Sequence, residues 1–284
     1  MRKTKSVLIS TPYILWMLAF TLIPLGVVGY YALTDPDTGA LTLANLGQIV
    51  DYLPVLWKSI WYSLVSAFIC LLLGYPVAYF IAHRGPVAQK ILYMLVMLPM
   101  CMSFLLRTLA WVGLLQDTGI INTLLGKLGI GPLRMIRTSG AVILGMVYNY
   151  LPYMILPLYA IIVKIDPRLI EAAEDLGCNS IQVFSKVVLP LSVPGILSGI
   201  TMVFVPAVST FYISQKLGGT DTLLIVDVIE RQFKQGNIPN LGAALSLVRM
   251  LLVFVCTGIM NRFGGEDEEG GVIVCKRPTA PLPS

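Results

Sequence analysis

Charge is scarce in this sequence. Asp, Glu, Lys and Arg make up 12% of its 284 residues, against about a quarter in a soluble domain. Apolar residues reach 56% and the mean hydropathy is +0.80. A soluble fold of this size cannot hide so much apolar surface, which excludes an ordinary cytosolic enzyme, a disordered chain and a nucleic-acid binder. Histidine is nearly absent: the single His83 rules out a His-based metal cage and reads as a solvated residue beside Arg84. The five cysteines (Cys70, Cys101, Cys178, Cys256 and Cys275) are odd in number, scattered and free of CxxC spacing. They support neither a disulfide framework nor a zinc site. No HExxH, Gly-x-Ser-x-Gly or strand-borne GxGxxG occurs. Residues 119–127 faintly suggest a phosphate loop, but six residues separate Gly119 from Gly126 where that loop needs four. No cofactor site is expected on this chain, and any chemical energy must come from elsewhere.

What the sequence does have is long apolar runs. Six are long enough to cross roughly 30 Å of hydrocarbon as helices: 7–31, 57–82, 91–115, 141–163, 195–214 and 242–260. Each is longer than a membrane strand and none alternates strictly, so the chain reads as an all-α membrane protein with six transmembrane helices. The first run follows Arg2, Lys3 and Lys5 and reads as a retained signal anchor. None of the runs holds an acid, while two hold an arginine, Arg107 and Arg249. Both arginines are expected to face protein or water, pairing with loop acids such as Asp227 and Glu230. With the N-terminus in the cytoplasm, Arg2, Lys3, Lys5, Arg84, Lys90, Lys164, Arg168, Lys186, Arg262, Lys276 and Arg277 fall inside. Lys58, Lys127, Arg134, Arg137, Lys216, Arg231 and Lys234 fall outside. Eleven basic residues against seven place both termini inside. The division is residues 1–54 (first span and outer loop), 55–262 (the remaining spans and their loops) and 263–284, an acidic, Gly- and Pro-rich tail expected to be disordered.

The break at 164–190 is the richest in local signals. Asp166 is an N-cap and Pro167 suits the first helical position. Gly177 can take the left-handed conformation that stops a helix, and Asn179 or Ser180 can cap a second one, limited by Pro190. The segment therefore reads as two short helices meeting at a glycine elbow. Ala172 and Ala173 offer a small, smooth face, and Ile181, Phe184 and Val188 form an apolar stripe.

The residues Glu171, Ala172, Ala173, then Gly177, then Val187, Leu189 and Pro190 resemble the EAA signature of ABC importer permeases, departing from it only by Val187 in place of Ile. The resemblance implies a type I importer permease fold with a MetI-like domain over about residues 55–262, and docking of this loop on a cytoplasmic ATPase. A narrower resemblance, to polyamine permeases, rests on three stretches. They are Phe104 to Trp111 with Gly119 to Leu125, then Phe204 to Ala207 and Phe211 to Ser214, then Gly218, Gly219 and Leu223 to Ile225. It implies import of spermidine and putrescine across a bacterial inner membrane. It also implies a PotC-like second permease subunit, two PotA-like ATPases that hold ATP and Mg, and a PotD-like extracytoplasmic binding protein. Sulfate, phosphonate and iron permeases share part of the pattern and are the alternative. A secondary transporter would show intramembrane acids or an inverted repeat, and neither is visible.

A path for a flexible polycation needs aromatic faces and carboxylates. The aromatic candidates are Trp111, Tyr148, Tyr150, Tyr153, Phe211 and Tyr212, with Asn149 as an amide. The spans hold no acid, so Asp117, Asp221, Asp227 and Glu230 in the outer loops are the local carboxylate candidates.

Overall fold

A computed structural model describes residues 15–35, 39–42, 44–129, 131–234 and 239–264. The basic N-terminus, residues 7–14 of the first expected run and residues 265–284 of the tail lie outside the described residues.

Among the described residues, five helical stretches are long and apolar enough to cross a membrane: Leu15–Ala32, Gln48–Ala82, Phe104–Lys127, Ser139–Ile162 and Pro239–Met260. A sixth crossing is a pair, Ser180–Leu191 and Val193–Ser209, bent by 63°. In chain order, α1 is Leu15–Ala32, α2 Leu53–Ala82, α3 Pro86–Met97, α4 Phe104–Leu115 and α5 Ile120–Lys127. Next come α6 Ser139–Ile162, α7 Pro167–Asp175, α8 Ser180–Leu191 and α9 Val193–Ser209. The chain closes with α10 Tyr212–Leu217, α11 Ile225–Lys234 and α12 Pro239–Gly264.

The centre is a packed trio of α2, α6 and α9. The inward face of α2 is small: Ser59, Ser63, Ser66, Ala67, Cys70, Gly74 and Ala78 are all buried. Lipid tails are as apolar as leucine, so helices in a bilayer associate through close van der Waals contact, which small residues permit. Met146, Met154 and Leu158 of α6 fill the seam, each fully buried. Ser59 and Ser63 bond locally, Ser63 Oγ donating to Ser59 O at 2.8 Å, while Ser66 Oγ donates across the seam to Met146 Sδ at 3.4 Å. A second cluster joins α1, α11 and α12 through Ala32, Ile229 and Leu245. The two are stitched where Ile225 N donates to Ser59 Oγ at 2.8 Å.

Two expected spans need correction. Residues 91–115 are not one helix: α3 passes into a 3-10 turn at Leu98–Cys101, and α4 begins only at Phe104. Pro99 has no N–H for the helical ladder, and Met102 and Ser103 are extended. The stretch that meets the length of a crossing is Phe104–Lys127. The 195–214 run also ends early, at Ser209. Thr210 is extended, and α10 starts afresh at Tyr212.

Candidate functional site

The elbow at 164–190 forms from local chemistry alone. Asp166 Oδ1 accepts from Arg168 N at 3.0 Å and starts α7. At its end, Gly177 N donates to Glu174 O (2.8 Å) and Cys178 N to Ala173 O (3.1 Å). This pair of bonds is the Schellman stop, which requires a left-handed residue. Gly177 supplies it with φ +84°. A Cβ there would meet no atom within 4 Å, so the constraint is the dihedral and not space. A reciprocal capping box between Asn179 and Gln182 then starts α8.

Past that point the structure departs from expectation. Pro190 does not limit the second helix. Residues Phe184–Val188 form a π-helical turn in which Leu189 N reaches five residues back to Phe184 O. The widened turn carries the chain past Pro190, which has no N–H to lose, to the bend at Ser192. The extra residue also rotates the expected stripe. Val183 and Val188 are buried, whereas Ile181 is 77% exposed. Phe184 packs edge-on against Tyr75 (5.4 Å between ring centres) and Tyr79 (5.7 Å) of α2. Tyr75 Oη and Ser192 Oγ share a hydrogen bond of 2.8 Å. The elbow is thus anchored on α2 as well as on the helix it feeds. Its outer surface keeps Glu171, Ala172, Pro190, Leu169, Ile181 and Leu176 exposed, the last at 86%. Ala173 and Val187 are half-buried, and Leu189 is exposed.

Most of the aromatic candidates pair up on α4, α6 and α10. Trp111 meets Tyr148 edge-on at 5.3 Å, and Tyr150 meets Tyr153 at 6.2 Å. Phe104 meets Tyr212 at 6.3 Å, and Lys216 lies 5.8 Å from the Tyr212 ring centre. Phe211 is exposed. Tyr150 Oη donates to Pro206 O (3.2 Å), a carbonyl left free near the end of α9. Asn149 is buried and donates to Gly145 O at 2.9 Å, while its Oδ1 has no partner. Gly145 lets α10 seat on α6, since a Cβ there would lie 2.7 Å from Leu217 Cδ1.

The acids separate into different environments. Asp227 and Glu230 line an open pocket of about 560 Å³ with Gln215, Arg134, Arg137 and Arg231. Asp227 is fully buried, and its Oδ2 accepts from Leu224 N at 2.8 Å, capping α11. Burial pushes its carboxyl above the usual carboxylate range. Glu230 is held below its usual value by hydrogen bonding to Lys234, its ion-pair partner, with help from Gln215 Nε2. Asp117 is exposed and lines no part of this pocket. Asp221 sits in a 3-10 turn, its side chain outside the described residues. The expected pairing of the span arginines is not formed. Glu230 pairs instead with Lys234. Arg107 is 7% exposed with Nε and Nη1 unpartnered, and Arg249 Nε is likewise bare. The reason is local geometry: Lys234 lies one turn from Glu230, and Asp227 is engaged with the start of its own helix.

The clasp of Phe184 on Tyr75 and Tyr79, the π-turn and the bend at Ser192 had no part in the sequence reading. Aromatics spaced one turn apart at Tyr75 and Tyr79 were the available signal. Residues 71–264 match the family model described as binding-protein-dependent transport system inner membrane component. The chain belongs to that family. It is 39% identical over 253 residues to the spermidine/putrescine transport system permease protein PotB of Haemophilus influenzae, covering 84% of this chain and 88% of that one. It is 36% identical over 247 residues to the PotB of Escherichia coli, covering 84% and 90%. In fold it is similar to a chain of a bacterial ABC transporter that imports the acidic polysaccharide alginate. The TM-score is 0.74 at 18% identity, over 93% of this chain and 98% of that one. The architecture is that of a type I ABC importer permease.

Proposed function

We propose that this chain is the PotB-like permease subunit of a spermidine/putrescine ABC importer. The observation that carries the reading is 36–39% identity to PotB proteins across 84% of the chain, together with an elbow whose outer face is exposed and apolar. Leu169, Leu176 and Ile181 project from a stiffly capped corner, the form of surface a helix-in-groove contact uses. An ATPase subunit docks there. One elbow serves one ATPase, and ATP is held between two ATPases, so the importer needs a PotC-like second permease beside two PotA-like ATPases. ATP and Mg sit on those subunits; this chain hydrolyses nothing. A PotD-like binding protein delivers cargo to the outer face. The elbow faces the cytoplasm of a bacterial inner membrane, which puts both termini inside.

In operation, closure of the ATPase pair displaces α7 and α8. Phe184 passes the movement to α2 and the bend at Ser192 passes it to α9, rocking two members of the central trio together. Trp111, Tyr148, Tyr150, Tyr153, Phe211 and Tyr212 offer ring faces to methylene chains and ammonium groups, with Asn149 as an amide contact. Asp117, which is exposed, and Glu230, which lines the pocket, are the accessible local carboxylates. One observation favours a different cargo: the unpartnered Nε and Nη1 of Arg107 would suit an anion such as sulfate or phosphonate. The test is uptake by proteoliposomes holding the complete importer and its binding protein. ATP-dependent accumulation of labelled spermidine or putrescine is expected. Accumulation of sulfate or phosphonate with no polyamine uptake would overturn the assignment.

A further inference from the structure

A second cavity, of about 480 Å³, lies where α2 meets the elbow. Its walls are Tyr75, Tyr79, Phe80 and Phe184, and its rim carries His83 and Arg84. The walls offer almost no polar surface. Phe80, one of these walls, is also exposed, as are Leu73 and Val77 on the same helix. The rim is held in place. Gln89 Nε2 donates to Ala82 O (2.9 Å) and Arg84 O (2.8 Å), fixing the turn that ends α2. The Arg84 guanidinium lies 4.1 Å from the Phe80 ring centre. The His83 ring stacks on Tyr79 at 4.1 Å, with Nδ1 against Tyr79 O at 2.9 Å. Among the described residues no carboxylate lies within ion-pair distance of Arg84.

We propose that this slot binds an anionic phospholipid, its phosphate at Arg84 and His83 and an acyl chain between Phe80 and Phe184. A guanidinium stacked on a ring keeps its N–H edge free, which suits two phosphate oxygens. A carbon-walled slot under that rim suits an acyl chain, and basic pockets at the cytoplasmic ends of membrane helices select anionic headgroups. The cargo does not fit. A polyamine needs carboxylates, none lines the slot, and Arg84 would repel it. Phe184 is both a wall of the slot and the bearing of the elbow on Tyr75 and Tyr79. A bound chain therefore stiffens the link between the ATPase and α2. The choice of leaflet and the link to the ATPase rest on the reading proposed above; binding itself does not.

The test is native mass spectrometry of the intact importer exchanged into mixed phosphatidylglycerol and phosphatidylcholine, without cargo. The expected result is one tightly retained phosphatidylglycerol per copy of this chain, preferred about ten-fold over phosphatidylcholine. That preference disappears in the His83→Gln/Arg84→Gln double variant. Soluble glycerol phosphate should not displace it; displacement would identify a free-anion site and overturn the lipid assignment. Equal retention of the two lipids, or unchanged preference in the double variant, would also overturn it. If the double variant fails to assemble, photoactivatable phosphatidylglycerol on the wild-type complex decides. Labelling concentrated on residues 75–84 and Phe184 supports the site, and labelling spread along α2 contradicts it. Polyamine uptake measured separately keeps a failure of the cargo assignment distinguishable from a failure of this one.

Discussion

Gly177 shows how much of the elbow depends on one backbone angle. At φ +84° an L side chain costs about 1–2 kcal/mol, and a β-branched one more, whereas asparagine adopts this region readily. Gly177→Val is expected to insert and assemble but to lose most ATP-driven uptake, with Gly177→Asn retaining it. Comparing uptake per ATPase turnover in the three proteins checks this; equal coupling in the valine variant would contradict it. Asp227 carries a different signal. Burial raises its carboxyl above an unfolded value of about 4. Between those two values the native state binds more protons than the unfolded state. Stability therefore falls as pH rises through that window and stays lower above it. Asp227→Asn keeps an oxygen for Leu224 N and removes the charge. Its thermal-unfolding midpoint should vary less with pH above about 4 than wild type, with no loss at neutral pH. An unchanged pH profile would show that burial of this carboxylate costs the fold nothing.

Among the elements, legibility followed the range of the interactions. The elbow could be read from the sequence because its determinants are local: Asp166, Pro167, Gly177 and the Asn179–Gln182 pair lie within one or two turns of what they cap. The break between α3 and α4 was less legible, because Pro99 sits in an apolar run that looks continuous by composition. The π-turn was hidden for a similar reason. It serves a tertiary contact, Phe184 on Tyr75 and Tyr79, that no spacing rule within α8 announces. Arg107 marks the opposite limit. Its burial was foreseeable, but the availability of a counterion depended on where Glu230 and Asp227 spend theirs, which only the packing decides. The clasp leads to a prediction at this scale. Phe184→Ala removes two edge-on ring contacts worth about 0.5–1.5 kcal/mol each beyond area. Tyr75→Phe removes the Ser192 hydrogen bond, worth about 1 kcal/mol. Both variants should keep ATPase docking while lowering uptake per ATP hydrolysed, Phe184→Ala the more. Loss of docking in either would mean that the clasp shapes the elbow itself and does not merely transmit its movement.

In the whole molecule, the small-residue seam of α2 and the methionines of α6 hold the central trio together, and the elbow grips two of its three helices. That arrangement turns a push at one corner into a movement of the bundle, provided the push arrives at the corner. The most direct measurement is site-specific photo-crosslinking in the assembled importer, with the probe at Leu176 or Ile181 of the elbow and at Leu128 on the opposite side as control. The account predicts adducts with the ATPase from both elbow positions and none from Leu128. An ATPase that cross-links elsewhere while Leu176 and Ile181 stay unlabelled would contradict it.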